Sequence, residues 1–170
     1  LMLVSGNDAA NALAEYYSGS VEEFARVMNE EALALGATNS HFVNANGLPD
    51  DDHYTTVYDM YLIFQEAVKS QAFVDIIKTK SIDVTYQDAN GNDVNKTWNN
   101  TNHYLTGETE APEGITVIGG KTGTTNAAGY CLVLYSNNKK GEDIISIVYK
   151  SDGRSNMYLL MNQILSTFAN

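Results

Sequence analysis

The segment Gly119–Tyr130, GGKTGTTNAAGY, decides the interpretation of this chain, because a Gly-Gly-Lys-Thr run occurs in two unrelated kinds of site. A phosphate-binding loop requires a glycine at the position that Ile115 occupies here. The residues 115–118 are all β-branched, so they favour an extended strand over the tight turns that wrap an anion. A turn-like Thr-Thr-Asn follows the lysine where that loop would open a helix. We therefore interpret the segment as a β-strand that presents Lys121 to a different substrate.

The composition indicates one folded domain over residues 1–170. A chain of this length with 44% hydrophobic residues can bury a substantial core. The formal net charge of -11 disfavours nucleic acid and anionic membrane surfaces as direct partners. No apolar stretch is long enough to predict a membrane-spanning helix.

The first half of the sequence predicts helices. One begins after Asn7-Asp8, which we expect to cap it. A second extends from Val21 to a stop at Gly36, and Ser20 with Glu23 fits a capping box. Two more are predicted over 57–69, capped by Thr56, and over 71–78.

The second half predicts strands. The segments 81–86 and 95–98 flank DANGND, a hairpin signal, and further strands are predicted over 115–124, 129–136 and 143–150. A closing helix over 155–168 is expected to turn five residues inward: Leu159, Leu160, Ile164, Leu165 and Phe168. Helices followed by antiparallel strands predict an α+β fold.

A second short motif, Ser5-Gly6-Asn7, precedes the first helix. Alone it is equally typical of a helix N-cap. Together with Lys121-Thr122-Gly123 it matches two of the three motifs of active-site serine β-lactamases and penicillin-binding proteins, with glycine as the middle residue of the first.

The residues around these motifs extend the match. SGNDAANALAEYYSGS, LGATNSHFVNANGL, HYTTVYDM and GGKTGTTNAAGYCLV closely resemble the low-molecular-mass penicillin-binding proteins, the serine-type D-alanyl-D-alanine carboxypeptidases. The resemblance covers nearly the whole chain. It implies a β-lactamase/transpeptidase-like fold, a place in the bacterial cell envelope, and no cofactor or metal. It also implies a peptidoglycan stem peptide ending in D-Ala-D-Ala as substrate and β-lactams as inhibitors.

The resemblance also implies residue roles in acyl transfer. Lys121 supplies a positive field, and Ser5 relays a proton to the leaving amine. Asn7 orients the substrate amide and the lysines, and it is expected to meet Lys121 across one groove. Thr122 donates a hydrogen bond to the terminal carboxylate, and the backbone N–H of Thr124 forms half of an oxyanion hole.

Three further positions extend this site. Gly123 has no side chain, so a substrate can lie against the strand as an added antiparallel partner. Arg154 is a candidate for more positive charge at the carboxylate, but a solvated arginine at a helix start fits equally well. Asn100-Thr101-Asn102 matches an Asn-x-Asn pattern of the family, and turn formation explains it just as well.

The sequence departs from the family in one respect, because the motif that carries the nucleophile is missing. This Ser-x-x-Lys motif should precede Ser5, and only four residues stand before Ser5. Only Ser136-Asn137-Asn138-Lys139 has that spacing, in a predicted hairpin loop, and we attribute it to chance. We expect the chain to be the C-terminal part of a catalytic domain and inactive alone. The strand over 143–150 would then lack a neighbour, and its open edge would favour self-association.

Other functions were compared with this one. A class A β-lactamase would need a Glu-x-x-Leu-Asn loop, which is absent between Asn7 and Lys121. A β-lactamase fragment and a non-catalytic module that binds peptidoglycan or β-lactams remain as alternatives. DANGND lacks the glutamate of a calcium loop, and the histidines have no zinc-ligand spacing. Cys131, in a strand-like run, is expected to be a buried structural thiol.

Overall fold

The computed structural model describes residues 1–169, and the helices of the first half lie close to their predicted positions. They are α1 (Asn7–Ser18), α2 (Val21–Ala34), α3 (Val57–Ala67) and α4 (Gln71–Ile77). Two predicted caps are confirmed, since the hydroxyl of Ser20 accepts from the Glu23 N–H and that of Thr56 from the Asp59 N–H, each at 3.0 Å. These bonds satisfy backbone donors that have no partner inside the helix.

The predicted start of α1 is wrong. Asn7 is its first helical residue. The N-cap residue is Gly6, which makes no side-chain capping hydrogen bond. Neither Asn7 nor Asp8 is therefore the N-cap residue. The side chain of Asn7 instead faces the cavity described below.

The strands form two separate sheets. β1 (Ser81–Gln87) and β2 (Asp93–Asn99) form an antiparallel hairpin. β3 (Thr116–Thr125), β4 (Gly129–Asn137) and β5 (Asp143–Ser151) form an antiparallel sheet in the order β3-β4-β5. A short helix that the sequence did not predict, α5 (His103–Thr106), precedes β3, and α6 (Arg154–Phe168) ends the fold. The predicted α+β class is confirmed.

The three-stranded sheet separates two apolar clusters, because alternate residues of β4 point to opposite faces. Leu132 and Leu134 face α6, where Met157, Met161 and Leu165 pack on them. Val133 and Tyr135 face the other side, where they join Phe64 of α3 and Ile77 of α4. Burial on both faces explains why β4 reads as a continuous apolar run.

The inward face predicted for α6 is only partly right. Leu165 is buried, and Leu160 and Ile164 pack at the edge of the cluster. Leu159 and Phe168 are 56% and 82% exposed. Met157, Tyr158 and Met161 occupy the inner face instead. Apolar residues lie on more than one side of this helix, so their periodicity alone did not identify the buried side.

The paired glycines before Lys121 are required by packing. A Cβ on Gly119 would lie 2.6 Å from the carbonyl oxygen of Ile77, and one on Gly120 would lie 2.3 Å from that of Val133. Any side chain would displace the backbone of α4 or β4. The glycines therefore let β3 approach its neighbours closely, beside an irregularity in the β3–β4 register at Val117/Gly119.

The Ser136–Lys139 spacing does not form a site. Ser136 is fully buried on β4, whereas Lys139 lies in the turn after that strand and pairs with Glu113 at 3.0 Å. Chance therefore remains the explanation for this match.

Among the described residues, β5 pairs only with β4, which leaves its outer edge open as predicted. No helix in residues 1–169 is long and apolar enough to cross a membrane.

Candidate active site

A lysine–serine contact joins the two motifs. The Lys121 ammonium on β3 donates to the Ser5 hydroxyl at 2.7 Å, although the residues are 116 positions apart in the sequence. The same ammonium also donates to the carbonyl oxygen of Thr122 at 2.6 Å. The structure therefore brings Ser5 to Lys121, and it places Asn7 on the wall of the adjoining cavity.

Ser5 is held in an uncommon backbone conformation. Its φ is +57°, which a non-glycine residue adopts only with some strain. The turn that it ends is closed by the Gly6 N–H, which donates to the carbonyl of Leu1 at 3.2 Å. This turn aims the serine hydroxyl at β3 instead of at the N-terminus of α1.

Burial alters the acidity of the lysine. Removal of the Lys121 ammonium from water lowers its pKa below the ordinary value, because the charged form is solvated less well inside the protein. An amine with a lowered pKa releases a proton more readily at neutral pH. Its hydroxyl partner is close enough to exchange that proton directly.

A cavity of about 590 Å³ adjoins this pair. Six of the seven residues singled out in the sequence line it: Ser5, Asn7, Thr122, Gly123, Thr124 and Arg154. The seventh, Lys121, reaches this wall through its bond to Ser5. The predicted residues therefore lie in one place, and Arg154, at the first position of α6, lies among them.

Gly123 has free space at its Cα. A Cβ there would make only an ordinary contact of 3.8 Å with the Cβ of Cys131. Unlike Gly119 and Gly120, this glycine is not required by packing within the chain. Space beside a cavity-lining strand is available to a ligand.

The segment before β3 supplies a wall of the cavity that sequence reasoning identified only in part. The Thr101 and Thr122 hydroxyls are hydrogen-bonded at 2.6 Å, so the Asn-Thr-Asn segment fixes a candidate carboxylate donor. The ring of His103 stacks on Tyr158 with a centroid distance of 4.9 Å, and its Nε2 lies 3.1 Å from Glu108. The Asn-x-Asn pattern was the available signal, whereas nothing in the spacing marked His103 or Glu108.

The loop between α2 and α3 forms the opposite wall through Asn46, Gly47 and Leu48. A buried carboxylate anchors this loop, since Asp59 of α3 accepts from the Asn39 N–H and from the Ser40 hydroxyl, each at 2.7 Å. Hydrogen bonds to a buried charge are stronger than neutral ones. These bonds therefore hold the start of the loop against α3.

Within residues 1–169, no group of three or more His, Cys, Asp or Glu side chains could hold a metal ion. The DANGND segment is a hairpin turn, in which the Asp88 carboxylate accepts from the N–H groups of Asn90 and Asn92. Cys131 is half-buried instead of fully buried and lines a second cavity with Phe42 and Tyr149, which corrects the sequence-based expectation.

Comparisons with known proteins agree with this geometry. The peptidase S11 family, described as D-alanyl-D-alanine carboxypeptidase, matches residues 1–153. The D-alanyl-D-alanine carboxypeptidase DacF of Bacillus subtilis is 36% identical over 143 residues, which are 83% of this chain and 33% of that protein. The D-alanyl-D-alanine carboxypeptidase of Streptomyces strain K15 is 35% identical over 158 residues, which are 89% of this chain and 52% of that protein.

Solved structures are similar over the whole described fold. The crystal structure of the Streptomyces K15 DD-transpeptidase matches with a TM-score of 0.79 at 31% identity, covering 97% of this chain and 65% of that one. The D-alanyl-D-alanine carboxypeptidase from Mycobacterium tuberculosis matches with a TM-score of 0.79 at 27% identity, covering 100% of this chain and 62% of that one. The β-lactamase/transpeptidase-like fold is thereby shown.

A fold of this class with paired Ser-Gly-Asn and Lys-Thr-Gly motifs at one cavity is that of the penicillin-binding-protein class. The chain belongs to the D-alanyl-D-alanine carboxypeptidase family, peptidase S11. It spans between a third and about half of the length of the curated relatives DacF and the Streptomyces enzyme.

Proposed function

We propose that the chain supplies the Ser-Gly-Asn and Lys-Thr-Gly side of a serine carboxypeptidase site. The reaction would remove the terminal D-alanine from peptidoglycan stem pentapeptides in the cell envelope. The observation that carries this proposal is the 2.7 Å bond from Lys121 to Ser5 at the edge of the shared cavity.

The chemistry follows acyl transfer. A serine oxygen forms a bond to the carbonyl carbon of the penultimate D-alanine, and the bond from that carbon to the terminal amine breaks. The hydroxyl proton passes to the leaving amine of D-alanine, and water then cleaves the ester. Lys121 and Ser5 form the proton route to that amine, because the lowered lysine pKa favours transfer at neutral pH.

The other cavity residues bind and orient the peptide. The Thr122 hydroxyl, held by Thr101, and the Arg154 guanidinium receive the terminal carboxylate. The Asn7 amide holds the substrate amide. The Thr124 N–H stabilises the oxyanion, and the space at Gly123 lets the peptide extend β3 as an added strand.

We propose that the attacking serine lies on a Ser-x-x-Lys segment that would precede Ser5, and not on Ser136–Lys139. The 170-residue chain should then not retain covalent label after incubation with a fluorescent penicillin and denaturing electrophoresis. A longer form with a Ser-x-x-Lys segment before Ser5 should retain it, and Lys121→Met in that form should reduce labelling. Absence of label in the longer form would contradict the proposal.

A second assignment has its own support, because Ser5 beside a lysine of lowered pKa is itself a possible nucleophile–base pair. If the 170-residue chain does retain label, Ser5→Ala decides between the two. Loss of that label would identify Ser5 as the nucleophile.

We also propose that the open edge of β5 pairs with another strand. Its central residues, Ile144–Val148, are apolar except Ser146 and carry no charge or proline, the devices that normally protect an edge. In the 170-residue chain the partner would be a second copy. Sedimentation velocity should detect a concentration-dependent dimer, and a strictly monomeric profile at high concentration would contradict this proposal.

A further inference from the structure

The β1–β2 hairpin separates its side chains into two unlike faces. One face carries cross-strand pairs of polar residues. The Thr97 hydroxyl donates a hydrogen bond to the Asp83 carboxylate, and the Thr85 hydroxyl donates one to the Asn95 amide oxygen, each at 2.6 Å. The opposite face, here called the aromatic face, is formed by three cross-strand pairs: Ile82 with Trp98, Val84 with Lys96, and Tyr86 with Val94. Among the described contacts, side-chain hydrogen bonds between β1 and β2 occur only on the polar face.

The aromatic face is partly open to solvent. Ile82 and Tyr86 are 47% and 43% exposed, and Val84, Val94 and Trp98 are half-buried. In residues 1–169, no hairpin residue belongs to any of the three apolar clusters. A two-stranded hairpin is marginally stable by itself, and a continuous exposed apolar face is characteristic of an interaction surface.

The chemistry of this face is that of a sugar-binding platform. Tyr86 and Trp98 stack with a centroid distance of 6.4 Å and an interplanar angle of 29°, so they form one aromatic surface. Aromatic rings of this kind pack against the apolar faces of pyranose rings. Lys96 is the single charged residue on this face, whereas the acidic Asp83 and Asp93 lie on the other one. Lys96 therefore gives this face one local contact for a carboxylate, in a chain whose net charge of -11 otherwise disfavours anionic ligands.

The hairpin is continuous with the active-site cavity. Asn100, directly after β2, is buried and closes the base of the hairpin through bonds to the carbonyls of Lys80 and Thr79 at 2.8 and 2.9 Å. Asn100 and Thr101 both line the cavity, and Thr101 bonds Thr122. Trp98 therefore lies two residues along the chain from the cavity wall.

We propose that the aromatic face binds the glycan strand of peptidoglycan while the cavity holds a stem peptide attached to that strand. This proposal rests on the proposed function, because the cavity's ligand supplies the link between peptide and glycan. Tyr86 and Trp98 stack on sugar rings, and Lys96 pairs with carboxylates along the polymer. The hairpin would then select polymeric peptidoglycan over soluble peptides.

The test uses glycan strands that an amidase has released from their stem peptides and that are then coupled to agarose beads, so that the cavity's peptide ligand is absent. The beads should retain the 170-residue chain, and Trp98→Ala and Tyr86→Ala should each weaken retention about tenfold, the size of an interface hot spot. Tyr16→Ala is the matched control, because Tyr16 is an aromatic residue on α1 with 90% exposure. It should be retained like the unaltered chain, and circular dichroism should show all variants to be folded.

Binding of a soluble N-acyl-D-alanyl-D-alanine peptide, measured in parallel, separates the two proposals. Loss of peptide binding with intact glycan retention would contradict only the proposed function. Equal retention of Trp98→Ala, or no retention of the unaltered chain, would overturn the glycan proposal. Retention of the chain by vesicles containing phosphatidylglycerol, without retention by the glycan strands, would also overturn it and would indicate a membrane partner.

Discussion

The sheet with α6 and the α1–α2 pair contribute to the same site but are built differently. Leu132 and Leu134 of β4 are completely buried against α6. In α1 the only buried residues are Ala10 and Ala14. Lys121 therefore comes from a well-packed part of the molecule and Ser5 from a part with a small core. Side-chain contacts and loop anchors must hold the second part in register with the first.

The largest expected effect tests this difference in packing. Leu134→Ala should lower the free energy of unfolding by about 2–5 kcal/mol, because it leaves a cavity between β4 and α6. The matched change Leu13→Ala on α1, where the leucine is 54% exposed, should cost less than about 0.5 kcal/mol. Urea denaturation measures both, and equal losses would refute the proposed difference.

The next effect concerns the loop anchor. Asp59→Asn keeps the size of the side chain but removes the charge that the Asn39 N–H and the Ser40 hydroxyl contact. We expect a loss of about 1–3 kcal/mol, since hydrogen bonds to a buried charge are replaced by weaker ones. Thermal unfolding is the measurement. Asp51→Asn in the exposed part of the same loop is the control and should leave the melting temperature unchanged.

A smaller effect should depend on pH. The pKa of Lys121 is lowered in the folded state, so between that pKa and the unfolded pKa of about 10.4 the unfolded chain binds more protons. Stability should therefore rise with pH between the folded and the unfolded pKa. Lys121→Met should be more stable than the unaltered chain by about 1 kcal/mol at neutral pH, because it removes the cost of burying a charge. That difference should shrink as the pH approaches 10, and a constant difference would contradict the assignment.

The smallest effect on stability separates binding from folding. Thr122→Val removes a half-exposed hydroxyl that bonds Thr101, so we expect a stability loss of about 0.5 kcal/mol. Affinity for an N-acyl-D-alanyl-D-alanine peptide should fall about tenfold, because a donor to its carboxylate is lost. Calorimetric titration tests this, with Thr125→Val, the second threonine after Thr122 on β3, as the control. An equal loss of affinity in both variants would argue against a specific role for Thr122.

The elements that local chemistry determines were predictable from the sequence. β-Branched and aromatic runs marked β3, β4 and β5, and the hydroxyls of Ser20 and Thr56 marked two helix starts. The start of α1 was predicted wrongly, because Asn7 is a good cap by type but lies inside the helix. Residue type does not show whether a side chain caps a helix or faces a cavity. α5 was missed because four residues are too few for a periodic pattern.

The site depended on resemblance more than on pattern. Ser5 and Lys121 are too far apart in the sequence for any spacing rule, and only the family motifs indicated that they could lie together. His103, Glu108 and Tyr158 form a wall of the cavity through stacking and pairing between distant segments. Such contacts depend on how α5 and α6 pack, which no local signal in one sequence records.

The central claim is that the Lys121 amine is buried against the Ser5 hydroxyl. An NMR titration of the lysine Cε resonances tests it, with Lys121→Met to assign the signal. We predict one lysine titrating below the ordinary pKa of about 10.4, with its resonance perturbed by Ser5→Ala and the other lysines unaffected. Eight lysines that titrate together near 10.4 and do not respond to Ser5→Ala would contradict the account.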